Sequence, residues 1–412
     1  IRGPLSILLI IGKNFSKPLK KRIEFERKNL IDRECRSFKL DILVADYCFE
    51  VSSEGELEQV RPLIEYYLKV NKRIEILFAS PSVEAKCLKL AMDYKDQLRV
   101  MRLPIASFTP LTFLYFQSPW SWVTAPVVIF CRYDFFPELL SFKFLGKKLI
   151  LVSAAGKNPS WFKHQCHSIF NLIIAANENE AHYFKEQIPN IPVFSFDFRV
   201  PRIFERISKK QATLAAVPEL SSYLSFLDRL TPTQKFIMGS AWESDLVILK
   251  EFPFSKIHLL IVPHNLNTQS IDELKAALSA QFPNVPLYEI KKGEKFDAAI
   301  LKSGIVILNL SGILCEIYSR FSFAYVGGGY ERSIHSVLEP FLSGCEVFVG
   351  PRINRSTEYD FIKNIAPNEI HLLKNSESFY NLSVSNTSCD RIQLSLRAKT
   401  LMESIIKEID LC

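Results

Sequence analysis

Short apolar runs alternate along this chain with longer stretches whose apolar positions recur at helical spacing. The short runs at 40–45, 75–79, 127–131, 148–153 and 172–176 read as strands, and those at 56–70, 82–95 and 137–144 as helices. The interval 201–232 is polar and helical with few strand signals, which suits a connection between domains. Alternation then resumes, with strands at 236–238, 257–262, 305–308, 323–326 and 346–349. Helices fall at 244–250, 271–281, 313–319 and 336–342, and an amphipathic stretch at 390–409 closes the chain. Such βα alternation predicts parallel sheets flanked by helices. Its interruption at the connection predicts an α/β protein of two doubly wound domains facing a cleft. Ligands of such sheets sit beyond the carboxyl ends of the strands, so the turns that follow strands hold the candidate chemistry.

At 412 residues the chain exceeds what one core fills, which agrees with two domains. A formal charge of +7 is mild for that length, with no stripe of nucleic-acid type; it suits small anions or a membrane surface. Nine cysteines without a C-x-x-C pair point to reduced thiols in a cytoplasmic setting. Cys166 lies between His164 and His167, but further metal ligands are not in view, so no metal is expected. The chain opens on Ile1 rather than Met, which leaves room for a segment ahead of it. A short apolar run at 5–11 precedes Lys13, Lys17, Lys20, Lys21, Arg22, Arg27 and Lys28. That order fits an interfacial anchor on anionic lipid, or a solvated basic helix. No cleavable signal peptide and no stretch long enough to span a bilayer is visible. The aromatic interval 108–122 would either dip into a membrane or serve as core.

Six turns after strands carry candidate chemistry. Ser53-Glu54-Gly55-Glu56 opens a helix with carboxylates, which reads as capping or as a general base held at a helix tip. Gly55 is a poor helix former, so something is expected to approach the backbone there. Arg132-Tyr133-Asp134 follows the strand at 127–131 and reads as a surface ion pair or a substrate contact. Gly239-Ser240-Ala241-Trp242-Glu243 combines small residues with a ring that could pack on a sugar or base. Pro263-His264 follows 257–262, and Ser311-Gly312-Ile313-Leu314 follows 305–308. The sixth, Gly327-Gly328-Gly329, precedes His335, Ser336 and Glu339. Glycines between a strand and a helix let backbone N–H groups approach a phosphate. His335 and Glu339, four apart, would share a helix face, where the carboxylate could bind two sugar hydroxyls. Together these turns suggest a nucleotide pocket in the C-terminal domain.

The order and spacing of these motifs resemble the Kdo transferases, which attach 3-deoxy-D-manno-oct-2-ulosonic acid (Kdo) from CMP-Kdo to a lipid A precursor. Ser53 to Glu56 is similar to the family's Ser-x-Gly-Glu, and Gly239 to Glu243 to its Gly-Ser-Thr-Trp/His-Glu. Val326 to Gly329 and His335 to Pro340 resemble Val-Gly-Gly-Ser and His-Asn-x-Leu-Glu-Pro. The resemblance implies a glycosyltransferase-B fold of two Rossmann-like domains. It also implies an inverting glycosyltransferase of lipopolysaccharide biosynthesis on the cytoplasmic face of a bacterial inner membrane, peripheral or held by the N-terminus. Glu56 would be the catalytic base and Asp134 an essential acid. Ser53, Gly55 and Arg132 would meet the acceptor. Gly239, Ser240, Trp242, Glu243, Pro263, His264, Ser311, Gly312, Leu314, Gly328, Gly329, His335, Ser336 and Glu339 would hold CMP, with Gly328 and Gly329 N–H groups at the leaving group and Glu339 on the ribose. No cofactor, metal or nucleic-acid partner is implied; CMP-Kdo, the lipid A precursor and the membrane surface are. The implied domains are a membrane-associating segment 1–30, an acceptor domain 31–200, the connection 201–232, a donor domain 233–388 and a C-terminal helix 389–412 packing back on the N-terminal domain. Departures exist: Glu50 stands where the family has His, Ser336 replaces Asn, and the family's Arg before His264 is missing. An enzyme of the same fold acting on another nucleotide sugar, as transferase or epimerase, and a non-catalytic homologue are the other readings.

Overall fold

The computed structural model describes residues 16–32, 44–104, 119–132, 135–156, 160–301, 303–353, 356–373 and 389–412. It divides into two compact units, Ile1–Arg199 with Lys399–Cys412, and Val200–Ala398.

The first unit holds β1 (Tyr47–Val51), β2 (Ile74–Phe78), β3 (Leu98–Arg102), β4 (Val127–Cys131), β5 (Lys148–Ala154), β6 (Leu172–Ala175) and β7 (Val193–Ser195). They form one parallel sheet in the order β3-β2-β1-β4-β5-β6-β7. Its helices are α1 (Lys17–Arg27), α2 (Glu54–Lys69), α3 (Pro81–Asp93), α4 (Pro119–Trp122), α5 (Pro137–Leu140), α6 (Trp161–His167) and α7 (Glu178–Gln187). Strands covered on both faces bury every side chain, and β1 to β3 do so along their whole lengths. Of the strand expected at 40–45, residues 40–43 lie outside the described residues and 44–45 are not in a strand; β1 is Tyr47–Val51. Asp46 and the buried Glu50 interrupt the apolar signal there. β3 escaped the sequence reading because it carries two arginines. Both are neutralised in place: Arg99 bonds Glu75, and Arg102 bonds Glu84 and Asp32.

The second unit holds β8 (Lys235–Ala241), β9 (His258–Pro263), β10 (Leu287–Lys291), β11 (Ile305–Asn309), β12 (Phe323–Val326), β13 (Glu346–Val349) and β14 (Ile370–Leu372). The sheet is again parallel, ordered β10-β11-β9-β8-β12-β13-β14. Residues 201–232, expected as a connection, fold into α8 (Arg199–Ser208), α9 (Lys210–Ala215) and α10 (Ser221–Arg229). Their apolar residues, among them Ile203, Leu214, Tyr223 and Leu227, enter the second unit's core. Further along come α11 (Thr268–Gln281), α12 (Leu314–Tyr318), α13 (Leu338–Ser343), α14 (Thr357–Ile365) and α15 (Arg391–Leu411). The end of α15 belongs to the first unit. Ile405, Ile406 and Ile409 enter its core, and Asp410 accepts hydrogen bonds from the hydroxyls of Tyr47 at 2.6 Å and Tyr67 at 2.8 Å. Among the described residues no helix is long and apolar enough to cross a membrane.

Both units are doubly wound and Rossmann-like, giving the chain a glycosyltransferase-B-like composition. Their strand orders also locate where a ligand belongs. From β1 the chain winds outward through β2 and β3, then returns to place β4 on the other side of β1. From β8 it winds through β9, β10 and β11, then returns to place β12 on the other side of β8. The crevices beyond β1/β4 and beyond β8/β12 are therefore the two topological switch points, the usual ligand positions of open parallel sheets.

Candidate functional site

The loops after β1 and β4 meet at the first switch point. Ser53 caps α2: its Oγ accepts the Glu56 N–H at 3.3 Å. The buried Glu56 carboxylate turns back to accept the Ser52 N–H at 2.6 Å, and the Ser52 hydroxyl donates to Glu50 at 2.9 Å. Such reciprocal capping stabilises a helix end by about 1 kcal/mol. It also fixes one carboxylate at the tip of a strand. One turn on, the Gln59 side chain accepts from Arg132 Nε at 3.1 Å and from the Cys131 thiol. The structure thus brings Ser53, Glu56 and Arg132 to one place. Burial first, then the nearby Glu56 and Glu50 charges, pushes the Cys131 thiol well above the usual thiol range, so it is no nucleophile. Arg132 has φ +65°, a left-handed backbone that costs a non-glycine residue about 1–3 kcal/mol. At Gly55 no described protein side chain closes on the backbone: a Cβ there would meet only Ser53 Oγ, at 4.0 Å. Asp134 lies outside the described residues.

The second switch point gathers rings. Ser240 has φ +51° and sits where the β8/β9 register shifts, a bulge that re-aims the chain into Trp242. Pro263 pairs with Ala241 across that shift and delivers His264. Trp242 stacks on His264 with ring centres 4.5 Å apart, and His264 on His335 at 4.2 Å. Trp242 Nε1–H donates to His335 Nε2 at 2.9 Å, so that ring is neutral with its proton on Nδ1. Burial, then His264 and Arg332, lowers the His335 pKa to about 4. His264 is lowered for the same reasons, burial before Arg332. The Arg332 guanidinium stands 4.0 Å from the Trp242 ring centre. Three stacked rings under a cation offer a flat face to a heterocycle or a sugar.

The glycines do something other than expected. The Gly328 N–H, assigned to a leaving phosphate, donates to both Asp245 oxygens at 2.9 and 3.2 Å. Asp245 is fully buried and also accepts from Trp242 N–H at 2.9 Å and Tyr325 OH at 2.7 Å. Gly328 has φ +96°, and a Cβ on it would collide with the Ser333 carbonyl. Gly329 packs against Gly350, whose Cα would lie 2.6 Å from an added Cβ. The run serves close backbone packing at the switch point. α13 begins only at Leu338, so His335 lies ahead of it and shares no helix face with Glu339. The start of α13 is likewise taken. Glu358 accepts Val337 N–H at 2.8 Å, Leu338 N–H at 3.1 Å and the Ser336 hydroxyl at 2.9 Å. Two internal carboxylates thus occupy the Gly328 N–H and the start of α13, two of the donor groups expected for phosphate.

Glu339 accepts from Arg206 Nη1 at 3.2 Å. The same guanidinium holds Glu316 through bonds of 2.9 and 2.8 Å, and the Gly312 carbonyl at 3.3 Å. Burial opposes the Arg206 charge, but the bond to Glu316 and the surrounding negative groups outweigh it and hold Arg206 firmly protonated. The guanidinium thus holds the Glu339 carboxylate in a fixed position beside Glu316. Ser311 lines a cavity of about 510 Å³ with Lys292, Asn309, Glu219 and Leu266; none of the ring-stack residues is in its wall. Leu314 begins α12 and packs on the core. Gly239 lies under Tyr318, and Glu243 is exposed at the start of a 3-10 turn, Glu243–Leu249.

Sequence reasoning missed Arg206, Asp245, Arg332 and Glu358. Arg206 stands 110 residues from Glu316, and no local pattern marks that pairing. Asp245 carried a signal, an acid three residues after the strand-end Trp242, where a capping side chain belongs.

No family model matches the chain, and no curated protein matches it. Solved structures of similar fold exist. The chain is similar to the C-terminal CMP-Kdo binding domain of WaaA from Acinetobacter baumannii, at 17% identity over 50% of this chain and 95% of that one, with TM-score 0.32. It is similar to UDP-GlcNAc 2-epimerase from Neisseria meningitidis, at 12% identity over 87% and 91%, TM-score 0.47. A glycosyltransferase from Rickettsia africae is similar at 10% identity over 88% and 89%, TM-score 0.49. At these levels the function must be argued from the chain's own sites.

Proposed function

We propose that this protein is a nucleotide-sugar-acting enzyme, a glycosyltransferase or an epimerase, that holds its nucleotide at the second switch point. The observation that carries the reading is the Trp242–His264–His335 stack, assembled from the ends of three different strand-end segments, with the Arg206-held Glu339 in the same unit. A neutral ring platform and a positioned carboxylate are what a base or sugar face and a pair of hydroxyls require.

The finer reading within this class is inverting transfer of Kdo from CMP-Kdo to a lipid A precursor, and its support is the order of motifs in the sequence. In it, the Glu56 carboxylate takes the proton from the acceptor hydroxyl as that oxygen bonds to the anomeric carbon and the bond to CMP breaks. Arg132 orients the acceptor, and Asp134 is assigned to the acid that the motif carries. Peripheral contact with the cytoplasmic face of an inner membrane belongs to the same proposal. The exposed Lys17, Lys20, Lys21 and Arg27 of α1 support it. Action on a UDP-sugar is the competing form. The absence of an arginine before His264 and the occupied Gly328 N–H depart from the CMP-Kdo motif, which keeps that form open.

Incubation of the full chain with CMP-Kdo and solubilised lipid A precursor, and separately with UDP-GlcNAc, decides between them. CMP release with a heavier lipid by mass spectrometry supports Kdo transfer. An epimerised sugar nucleotide by NMR supports the second form. No turnover of any nucleotide sugar contradicts an enzyme.

A further inference from the structure

The second switch point spends on its own carboxylates part of the anion-donor capacity that its glycine turn advertises. The Gly328 N–H serves Asp245, and the start of α13 serves Glu358. A phosphate placed on either would have to displace a carboxylate and sit beside its charge. A nucleotide lying on the ring stack therefore needs a further donor for its phosphoryl group.

Arg332 is placed to do this. It is exposed, its guanidinium lies over Trp242, and among the described residues it makes no ion pair. Its charge is felt by both histidines of the stack. The loop that carries it is held at several points. Arg332 N–H donates to the Gly328 carbonyl at 2.9 Å, His335 N–H to the Gly327 carbonyl at 3.2 Å, and Arg352 N–H to the Gly329 carbonyl at 2.9 Å. The Arg352 side chain also donates to the Glu331 carbonyl. A guanidinium fixed at the edge of a flat ring platform, donors unspent, can lie against one face of Trp242 and still offer its fork to two phosphate oxygens.

We propose that Arg332 is the phosphate-binding residue of this site, pairing with the phosphoryl group of a nucleotide whose base or sugar rests on the Trp242–His264–His335 stack. This rests on the nucleotide reading above. It assigns the role of the arginine missing before His264 to a residue from a different loop.

The test is titration of the full chain with CMP, cytidine, UDP and uridine, followed by calorimetry, for wild type, Arg332→Gln and Arg332→Lys, with thermal melting as a check on folding. The expected result is that wild type binds the nucleotide roughly 10- to 100-fold more tightly than its nucleoside, the range of a charge-assisted pair. Arg332→Gln loses that difference while keeping the nucleoside affinity, and Arg332→Lys keeps part of it. If Arg332→Gln weakens nucleotide and nucleoside equally, Arg332 only braces Trp242 and the inference is overturned. If it changes neither, the inference is overturned while the nucleotide reading stands. If wild type binds none of the four probes, the nucleotide reading fails and the inference with it.

Discussion

At the first unit's switch point the strand ends present acids; at the second unit's they present rings. In the first, Glu50 and Glu56 converge on Ser52, and Arg132 reaches across to Gln59. In the second, Trp242, His264 and His335 stack, and the acids there, Asp245 and Glu358, are spent on backbone N–H groups. The supporting architecture is alike. Each site has a non-glycine residue in left-handed backbone beside the crevice, Arg132 at φ +65° and Ser240 at φ +51°. A third, Ser153 at φ +53°, marks the bulge between β5 and β6, and its buried hydroxyl has no hydrogen-bond partner among the described residues. The same topological position thus accepts side chains suited to proton transfer in one unit and to ligand holding in the other.

Four substitutions or titrations would break that division, and the largest effect belongs to the acids. Glu56→Gln should lower turnover by about 10²–10⁴, the range for a lost general base, while leaving nucleotide affinity unchanged. Steady-state rates beside calorimetric titration check this, and lost nucleotide binding would erase the distinction between the sites. Asp245→Ala should destabilise the fold by about 2–4 kcal/mol in urea unfolding, because it orphans the Gly328 and Trp242 N–H groups and the Tyr325 hydroxyl. A change within error would mean that the Gly328 N–H is available to ligands after all. Trp242→Ala should weaken nucleotide binding by roughly 10- to 100-fold, as expected for one stacked base, with turnover at saturation little changed.

The smallest effect is one of pH. His335 is held to about 4 in the folded protein against an ordinary value near 6.5. A depressed value means the fold prefers the neutral ring. Its stabilisation is therefore complete above about 6.5 and is lost as pH falls towards 4. His258, lowered to about 4 by burial, adds to the same slope in the second unit, and His167, also lowered to about 4 by burial, is the counterpart in the first. Melting temperature should fall between pH 6.5 and 4, and His335→Phe should flatten that fall. An unchanged slope in the variant would show that the stack is charged or unformed in solution.

The βα alternation was legible because buried parallel strands are runs of apolar residues, and β4, β12 and β13 were read with the boundaries observed. β3 was hidden because its arginines find acids that are distant in sequence, the buried Glu75 and the half-buried Glu84. Trp242, His264 and His335 could be picked out because each follows a strand, and position after a strand is local information. Their contact was not legible, since it joins residues 93 apart in the case of Trp242 and His335. The glycine run showed the opposite error. Glycine signals close approach, but the sequence does not say whether a phosphate or the chain's own backbone approaches; here Gly350 fills the space beside Gly329.

The central claim, that the ring-lined switch point of the second unit holds a nucleotide, is tested most directly by calorimetric titration of wild type and Trp242→Ala with CMP and with UDP. Saturable one-to-one binding of at least one of them by wild type, weakened roughly 10- to 100-fold in the variant, is the predicted result. Binding of neither, or equal binding by both proteins, would contradict it.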